Sequence, residues 1–238
     1  MFFIGIKNAY KFKNIKQFLH SIRENTMTYD FDAITDRTRS NSVKYDEAEK
    51  KFGTKDLIPL WITDMDFPTA RPIIDAMAER NKNGIFGYTS RPDSYFESVR
   101  DWQVKRNGWT FDTALASFCP GVVPALSAII DRFSGEGDAV LFLTPVYSEF
   151  FSVTLTCGRT PLTVPLLEKA GGAVDIDFDA FEKALQKKPS LFILCHPHNP
   201  LGRVWKKSEL QKIAELCIHY KVPVISDEIH SDLMLWGN

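Results

Sequence analysis

Residues 191–203 read LFILC followed by HPHNPLGR. Five apolar residues without polar alternation are typical of a strand that is covered on both faces of a sheet. The prolines and the glycine that follow them predict a rigid, irregular turn. In α/β proteins, ligands bind where buried strands end in such turns. This stretch therefore predicts a parallel strand with functional side chains at its carboxyl end.

Similar apolar runs lie on both sides of this segment, at 139–143, 161–165 and 222–226, with weaker strand-like runs at 57–62 and 116–119. Apolar spacing predicts helices over 72–82 and 94–106, one through Ile129 and Ile130, one beginning near Phe178, and one beginning at Ser208. Capping boxes are predicted at Ser94–Glu97 and Ser208–Gln211. Alternating strands and helices predict an α/β domain with a mostly parallel sheet.

The overall composition is that of an ordinary globular protein. The chain has 238 residues, 29 Lys and Arg against 30 Asp and Glu, and 44% hydrophobic residues. The balanced charge argues against a nucleic-acid partner, and the lack of an apolar run of about 18 residues argues against a transmembrane helix. Four isolated cysteines, without a CxxC pair, favour core thiols of a reduced, cytoplasmic protein over a disulfide.

The segment after the 116–119 run carries a candidate anion site. It reads Pro120-Gly121-Val122-Val123-Pro124, and an apolar helix follows. A glycine at a strand-to-helix turn allows backbone N–H groups to face a phosphate at the helix N-terminus. Taken by itself, the segment is more typical of a simple tight turn.

Three side chains follow the other predicted strands. Tyr147 can offer its ring to a planar ligand or pack in the core, and Asn199 can donate a hydrogen bond to a ligand oxygen. Asp227 can pair with a cationic ligand nitrogen or cap the next element. A metal is not favoured, because the His-x-His at 196–198 lacks a third ligand and the acidic residues at 227–232 offer few oxygens.

In order, these segments resemble the pyridoxal-phosphate enzymes of aspartate-aminotransferase fold type I, and more narrowly the MalY/PatB group of cystathionine (cysteine-S-conjugate) β-lyases. The resemblance extends from residue 27 to the C-terminus. The segments that carry it are YDFD at 29–32, NSVKYD at 41–46, LIPLWITDMDFPTA at 57–70, GIFGYTSRPDSYFESVRDW at 84–102, PGVVPALSAI at 120–129, TPVYSEFF at 144–151, HPHNPLGRVWKKSEL at 196–210 and SDEIHSDL at 226–233. It implies a three-layer α/β large domain and the N-terminal part of a small domain.

The resemblance also implies roles for individual residues. Backbone N–H groups of Gly121, Val122 and Val123 would hold the phosphate, and Tyr147 would stack on the pyridine ring. Asn199 would donate to the phenolic oxygen O3′, where His230 replaces a tyrosine of many relatives, and Asp227 would pair with the pyridinium nitrogen. Tyr88 would reach the phosphate of a neighbouring subunit, which implies a homodimer, while Trp61 and Asp64 would border the substrate pocket.

One residue that the family requires is missing from the printed sequence. Family members hold the cofactor as a Schiff base with a lysine that follows the pyridine-facing aspartate, whereas the last lysine here is Lys221. We therefore expect an N-terminal fragment without a catalytic residue, inactive and poorly stable alone. The expected division is an N-terminal extension (1–26), poorly ordered or a short amphipathic helix, a segment of the small domain and substrate pocket (27–70), and a partial cofactor-binding large domain (71–238).

Three functions remain open at this point. The resemblance favours a lyase that cleaves amino-acid thioethers to a thiol, pyruvate and ammonia. An aminotransferase would use the same cofactor residues, and a non-catalytic remnant would explain the missing lysine.

Overall fold

The computed structural model describes residues 29–234, so the predicted extension over 1–26 lies outside the described residues. These residues divide into two compact units, 29–105 and 106–234. The division predicted from the resemblance, with boundaries after residues 26 and 70, stays a prediction.

The second unit is built on a parallel four-stranded sheet. Its strands are β1 (Ala139–Thr144), β2 (Thr160–Pro165), β5 (Leu191–Cys195) and β6 (Val224–Asp227), in the order β2-β1-β5-β6. All three pairings between neighbours are parallel. A separate antiparallel pair joins the short strands β3 (Leu167–Glu168) and β4 (Val174–Asp175). The four-stranded sheet confirms the predicted strands near 139, 161, 191 and 222.

Alternating residues of each central strand enter two separate hydrophobic clusters. In β1, Leu141 and Leu143 belong to one cluster, whereas Val140 and Phe142 belong to the other. Because successive side chains of a strand point to opposite faces, the two clusters lie on the two faces of the sheet. This arrangement explains the unbroken apolar runs and confirms an α/β fold with helices on both faces.

Four helices cover these two faces: α5 (Val122–Phe133), α6 (Glu149–Thr156), α7 (Phe178–Gln186) and α8 (Lys207–Tyr220). Buried residues of α5 and α6 pack in one cluster and those of α7 and α8 in the other. At the start of α7, the Asp177 carboxylate accepts a hydrogen bond from the Ala180 N–H at 2.9 Å. At the start of α8, Glu209 accepts from the Lys206 backbone N–H at 2.7 Å. The predicted cap at Ser208 is therefore wrong, because the helix has already begun at Lys207.

The chain before residue 110 contributes four further helices: α1 (Val43–Asp46), α2 (Ala48–Phe52), α3 (Arg71–Asn81) and α4 (Asp93–Asn107). Helices α3 and α4 match the predictions over 72–82 and 94–106. The capping box predicted at Ser94 is wrong, because α4 begins at Asp93 and Ser94 lies within its first turn.

Two predicted strands are absent from the described residues. Residues 57–62 and 116–119 adopt neither helix nor strand, and a 3₁₀ turn (Thr113–Leu115) precedes the second segment. A strand needs a hydrogen-bonded neighbour, and no described strand pairs with either segment. Apolar composition alone therefore overpredicted strand at these two places.

Within the described part of the chain, no helix is both long and apolar enough to cross a bilayer. All four cysteines are free thiols, and Cys195 and Cys217 are buried. Burial raises the pKa of both thiols to about 11, so they behave as small core residues.

Candidate active site

The candidate site lies where three adjacent parallel strands end. Strands β1, β5 and β6 are neighbours in the sheet, so the turns that follow them emerge at the same edge. Cys195 and Asp227 are partners in the β5–β6 register, and the His196 N–H donates to the Asp227 backbone carbonyl at 2.9 Å. The backbone therefore places Asp227 directly beside the turn that carries Asn199.

Asp227 is a buried carboxylate that lacks a cationic partner. It is 9% exposed, and its Oδ1 accepts a hydrogen bond from the Ile229 N–H at 3.2 Å. Within residues 29–234, no Lys, Arg or His forms an ion pair with it. Burial raises the pKa of Asp227, with Glu228 adding to the effect, while the Ile229 N–H and the charge of His230 oppose it. Such a carboxylate is suited to receive a cation from a ligand.

Tyr147 and Asn199 present side chains without hydrogen-bond partners among the described residues, although the Tyr147 ring meets the Phe150 ring edge to face at 6.4 Å between centroids. The Tyr147 ring is 41% exposed, and neither its hydroxyl nor the Asn199 amide bonds to any described residue. Burial raises the pKa of Tyr147, and the carboxylates of Glu149 and Asp227 add to the effect, so the phenol lies within electrostatic reach of Asp227. The Asn199 backbone is fixed, because its N–H donates to the Cys195 Sγ at 3.3 Å.

The N-terminus of α5 supplies free backbone donors. Ala125 is the first residue of α5 whose N–H forms the helical hydrogen bond to a residue four positions earlier. It donates to the carbonyl of Gly121, which precedes the helix, at 3.2 Å. Pro124 has no N–H, and those of Val122 and Val123 find no acceptor among the described residues. Both valines pack against the same hydrophobic cluster as Val146 and Ile225. The helix start thus shares a core with the strand that ends in Asp227 and with the turn that carries Tyr147.

Gly121 is not required by the backbone conformation. Its φ is 177°, which is extended backbone that any residue adopts. A Cβ built there would make its closest contact, at 3.4 Å, with the Pro124 ring, which is ordinary van der Waals contact. The fold alone therefore tolerates a side chain at this position, and close approach of a ligand is a reason for glycine.

His230 is half-buried and lies three residues beyond Asp227 in the chain. Its interaction with Asp227 acts to lower the pKa of that carboxyl. Its predicted contact with a ligand oxygen stays a prediction.

In the unit formed by residues 29–105, Trp61 and Asp64 belong to an ionic network. The Arg37 guanidinium bonds to the Asp64 Oδ2 at 2.5 Å and to the Asp66 Oδ1 at 2.7 Å. Lys44, which is 5% exposed, donates to the Asp66 Oδ2 at 2.7 Å and to the Asp64 carbonyl at 2.8 Å. Trp61 donates its indole N–H to the Lys44 carbonyl at 3.0 Å.

Sequence reasoning missed the two cations of this network. Hydrogen bonds from Lys44, and then from Arg37, lower the pKa of Asp66 to about 2, so its carboxylate stays ionised. Lys44 lies in the quoted segment NSVKYD, where no local pattern pointed to its partner, and Arg37 lies outside every segment quoted above. Their effect is to fix the loop that carries Trp61 and Asp64, and the predicted substrate contacts of those two residues stay predictions.

Tyr88 is fully exposed, at 113% of the reference area. A contact with a neighbouring subunit needs such exposure, and the predicted contact of Tyr88 stays a prediction. No group of three or more His, Cys, Asp or Glu side chains in residues 29–234 is arranged to hold a metal ion.

The strand-end residues together offer complementary groups for a planar, phosphorylated, cationic ring. The α5 start offers N–H donors to an anion, Tyr147 offers a ring face, Asn199 offers an amide, and Asp227 offers a negative charge. All four belong to the unit formed by residues 106–234, and their joint role in binding one ligand stays a prediction.

Comparison with known proteins identifies relatives of this chain. A family model described as aminotransferase class I and II matches residues 55–237. The cystathionine beta-lyase PatB of Bacillus subtilis (strain 168) is 44% identical over 209 residues, which are 87% of this chain and 54% of that protein. Protein MalY of Escherichia coli (strain K12) is 36% identical over 211 residues, which are 88% of this chain and 54% of that protein.

Among solved structures, cystalysin from Treponema denticola, which contains a pyridoxal 5′-phosphate cofactor, matches with a TM-score of 0.84 and 34% identity. The match covers 89% of this chain and 54% of that one. The chain thus spans about half the length of these relatives. Because the family model matches well over half of it, the chain belongs to the aminotransferase class I and II family.

Proposed function

We propose that this family member binds pyridoxal 5′-phosphate and that the protein it forms is a carbon–sulfur β-lyase. The substrates are amino-acid thioethers of the cystathionine or cysteine-S-conjugate type. Each turnover consumes one water and releases a thiol, pyruvate and ammonia. The observation that carries the proposal is the buried, unpaired Asp227 at the end of β6, directly beside the turn that carries Asn199.

The residues present fit the cofactor. The α5 N–H groups lack acceptors, Asp227 lacks a cation, and the Tyr147 hydroxyl and the Asn199 amide lack partners within the described chain. Pyridoxal phosphate carries a phosphate, a planar ring, a phenolic oxygen and a basic ring nitrogen, which are the complements of these four features. A buried polar group is costly without a partner, so the cofactor supplies what the fold leaves unsatisfied.

Each residue has a distinct task in this proposal. Gly121, Val122 and Val123 bind the phosphate through backbone N–H groups, and Tyr147 stacks on the ring. Asp227 holds the proton on the ring nitrogen by charge pairing. Asn199 donates to the phenolic oxygen, with His230 nearby. When bound, the cofactor supplies an electron-withdrawing ring that accepts the electron pair left when the substrate Cα loses its proton.

The remaining proposals concern residues outside this centre. Trp61 and Asp64, fixed by the Arg37–Lys44 network, border the substrate pocket. Tyr88 contacts the cofactor phosphate of a second copy in a homodimer, and its full exposure supports this role. The protein is cytoplasmic, which its free thiols favour.

The lysine of this family has no counterpart after Asp227 in the 238 residues. We propose that these residues alone bind the cofactor non-covalently and do not turn over substrate. Pyridoxamine 5′-phosphate is a suitable probe for them, because its amine needs no lysine.

The test measures pyruvate released from cystathionine by the protein expressed from its natural reading frame, with and without a 2-oxo acid. We expect pyruvate without the 2-oxo acid, and a loss of about 100-fold on Asp227→Asn, as for loss of a buried charge pair. Amino transfer that exceeds pyruvate release would establish the aminotransferase instead. If the 238-residue chain does not bind pyridoxamine 5′-phosphate by calorimetry, the assignment of its cofactor site is wrong.

A further inference from the structure

His198 joins the two turns that carry candidate cofactor contacts. It is 2% exposed and lies in the turn after β5. Its Nε2 is 2.7 Å from the backbone carbonyl oxygen of Pro145, in the turn after β1. Because β1 and β5 are neighbours in the sheet, this hydrogen bond ties together adjacent turns at the edge where the site lies.

The chemistry of this bond fixes the state of the ring. A carbonyl oxygen can only accept, so Nε2 carries the hydrogen and donates it. Nδ1 is buried and forms no hydrogen bond with the described residues. Burial lowers the pKa of His198, although the backbone groups of Pro145 and Cys195 oppose the effect, so burial favours the neutral ring.

Trp205 fixes the orientation of the imidazole. The two ring centroids are 5.3 Å apart, and the rings meet edge to face. Trp205 is itself anchored, because its indole N–H donates to the Cys195 carbonyl at 3.1 Å and the Arg203 guanidinium lies 4.7 Å from its ring centroid. The imidazole therefore has a rigid support on the side of β5 and a single hydrogen bond to the side of β1.

The residues that His198 connects are those proposed to touch the cofactor. Asn199 is its neighbour in the chain, and Tyr147 lies two residues beyond Pro145. The turn with Tyr147 continues into α6, where the Phe150 N–H donates to the Tyr147 carbonyl at 3.1 Å. Holding Pro145 therefore holds the start of the segment that presents the Tyr147 ring.

We propose that His198 is a positioning residue. It holds the Tyr147 ring and the Asn199 amide in the relative positions that the cofactor needs. The proposal rests on the proposed function, because pyridoxal phosphate is the ligand concerned. An apolar ring would fill the same buried space without needing a partner. What the imidazole adds is the N–H that links the two turns.

Two substitutions separate the hydrogen bond from the packing. His198→Phe keeps an aromatic ring against Trp205 but removes the donor, whereas His198→Gln keeps an N–H donor and removes the ring. His219→Phe is the matched control, because His219 is exposed on α8. Unchanged hydrogen-exchange protection of β1 and β5 shows that each variant is folded.

The first measurement is amide hydrogen exchange over residues 144–151 without cofactor. We expect His198→Phe to accelerate exchange of the Phe150 and Phe151 amides by about tenfold, because the turn loses its tie. His198→Gln should stay within about threefold of the native chain. Equal exchange in His198→Phe and the native chain, or equal acceleration in both His198 variants, would overturn the proposal.

The second measurement is the Kd for pyridoxamine 5′-phosphate by titration calorimetry. We expect about a tenfold rise for His198→Phe, which corresponds to ~1.4 kcal/mol, and less than about threefold for His198→Gln and His219→Phe. An unchanged Kd in His198→Phe overturns positioning even if exchange accelerates. If the native chain fails to bind, the proposed function is wrong, and the exchange result still decides whether His198 ties the turns.

Discussion

At the scale of single residues, Asp227 shows how a functional side chain lowers the stability of the folded state. Its carboxylate is 9% exposed, is not part of any ion pair with the described residues, and has a raised pKa because it is buried. A structural aspartate would normally be paired or hydrogen-bonded on both oxygens. The absence of a partner in the fold is understandable if a ligand supplies the cation.

This cost predicts that Asp227→Asn stabilises the cofactor-free chain. The folded pKa is raised above the ordinary 3.8, so ionisation destabilises the folded state above the raised pKa and has no effect below 3.8. The asparagine can still accept the Ile229 N–H. We expect the free energy of unfolding at pH 7 to rise by about 0.5–2 kcal/mol, the usual range for such replacements. Urea denaturation checks this.

The same measurement at lower pH separates charge from packing. The gap between Asp227→Asn and the native chain should close as the pH falls through the raised pKa towards 3.8. Glu136→Gln is the control, because Glu136 is exposed and forms no ion pair with a described residue. A variant no more stable than the native chain at pH 7 would contradict the account of Asp227.

The ionic network of the unit 29–105 marks a limit of sequence reasoning at the residue scale. Trp61 and Asp64 were identified from a local segment, whereas Arg37 reaches Asp64 across 27 positions. Nothing in local spacing specifies such a pair, because it forms only when the chain folds back on itself. A resemblance finds the residues of a family motif more readily than the residues that hold them in place.

At the scale of elements, apolar runs predicted the buried strands well, and burial explains why. Strand β5 was predicted at its observed bounds, and it is buried along its whole length. Strand β6 begins at Val224 instead of residue 222, because the Val222 N–H donates to the Cys217 carbonyl of α8. The runs at 57–62 and 116–119 are also apolar, but no strand of the described chain pairs with either of them.

The start of α5 allows a test of the backbone N–H donors, because a proline there removes one N–H without breaking the helix. Val122 is the first helical residue, where proline is favoured, and the extended Gly121 before it suits a following proline. Val122→Pro should raise the Kd for pyridoxamine 5′-phosphate about tenfold, as expected for one hydrogen bond to a charged group. Calorimetry measures the Kd.

Val122→Ala is the matched control for this prediction. It loses a similar part of the partly buried side chain but keeps the N–H, so its Kd should change by less than about threefold. Circular dichroism should show the same helix content in both variants. Equal weakening by proline and alanine would mean that the side chain, and not the N–H, is what the ligand needs.

At the scale of the whole molecule, the four-stranded sheet has two outer strands, β2 and β6, and their open edges differ in character. The β2 edge contains Pro161 and Pro165, which lack the N–H that a new neighbour would need. Strand β6 pairs only with β5 among the described residues, and it is free of proline. Val224, at its start, is 42% exposed. The β6 edge is therefore the one open to pairing with another chain.

The open edge predicts self-association of the 238-residue chain and a way to reduce it. A lysine on an edge strand opposes pairing by charge and by the hydration of its ammonium group. Val224→Lys should therefore lower the average particle mass measured by light scattering at about 100 µM, which lies within the micromolar to millimolar range in which exposed edges associate. Thr163→Lys, on the edge that carries the prolines, adds the same charge and should leave the mass unchanged. Equal effects of the two lysines would show that net charge, and not the β6 edge, controls association.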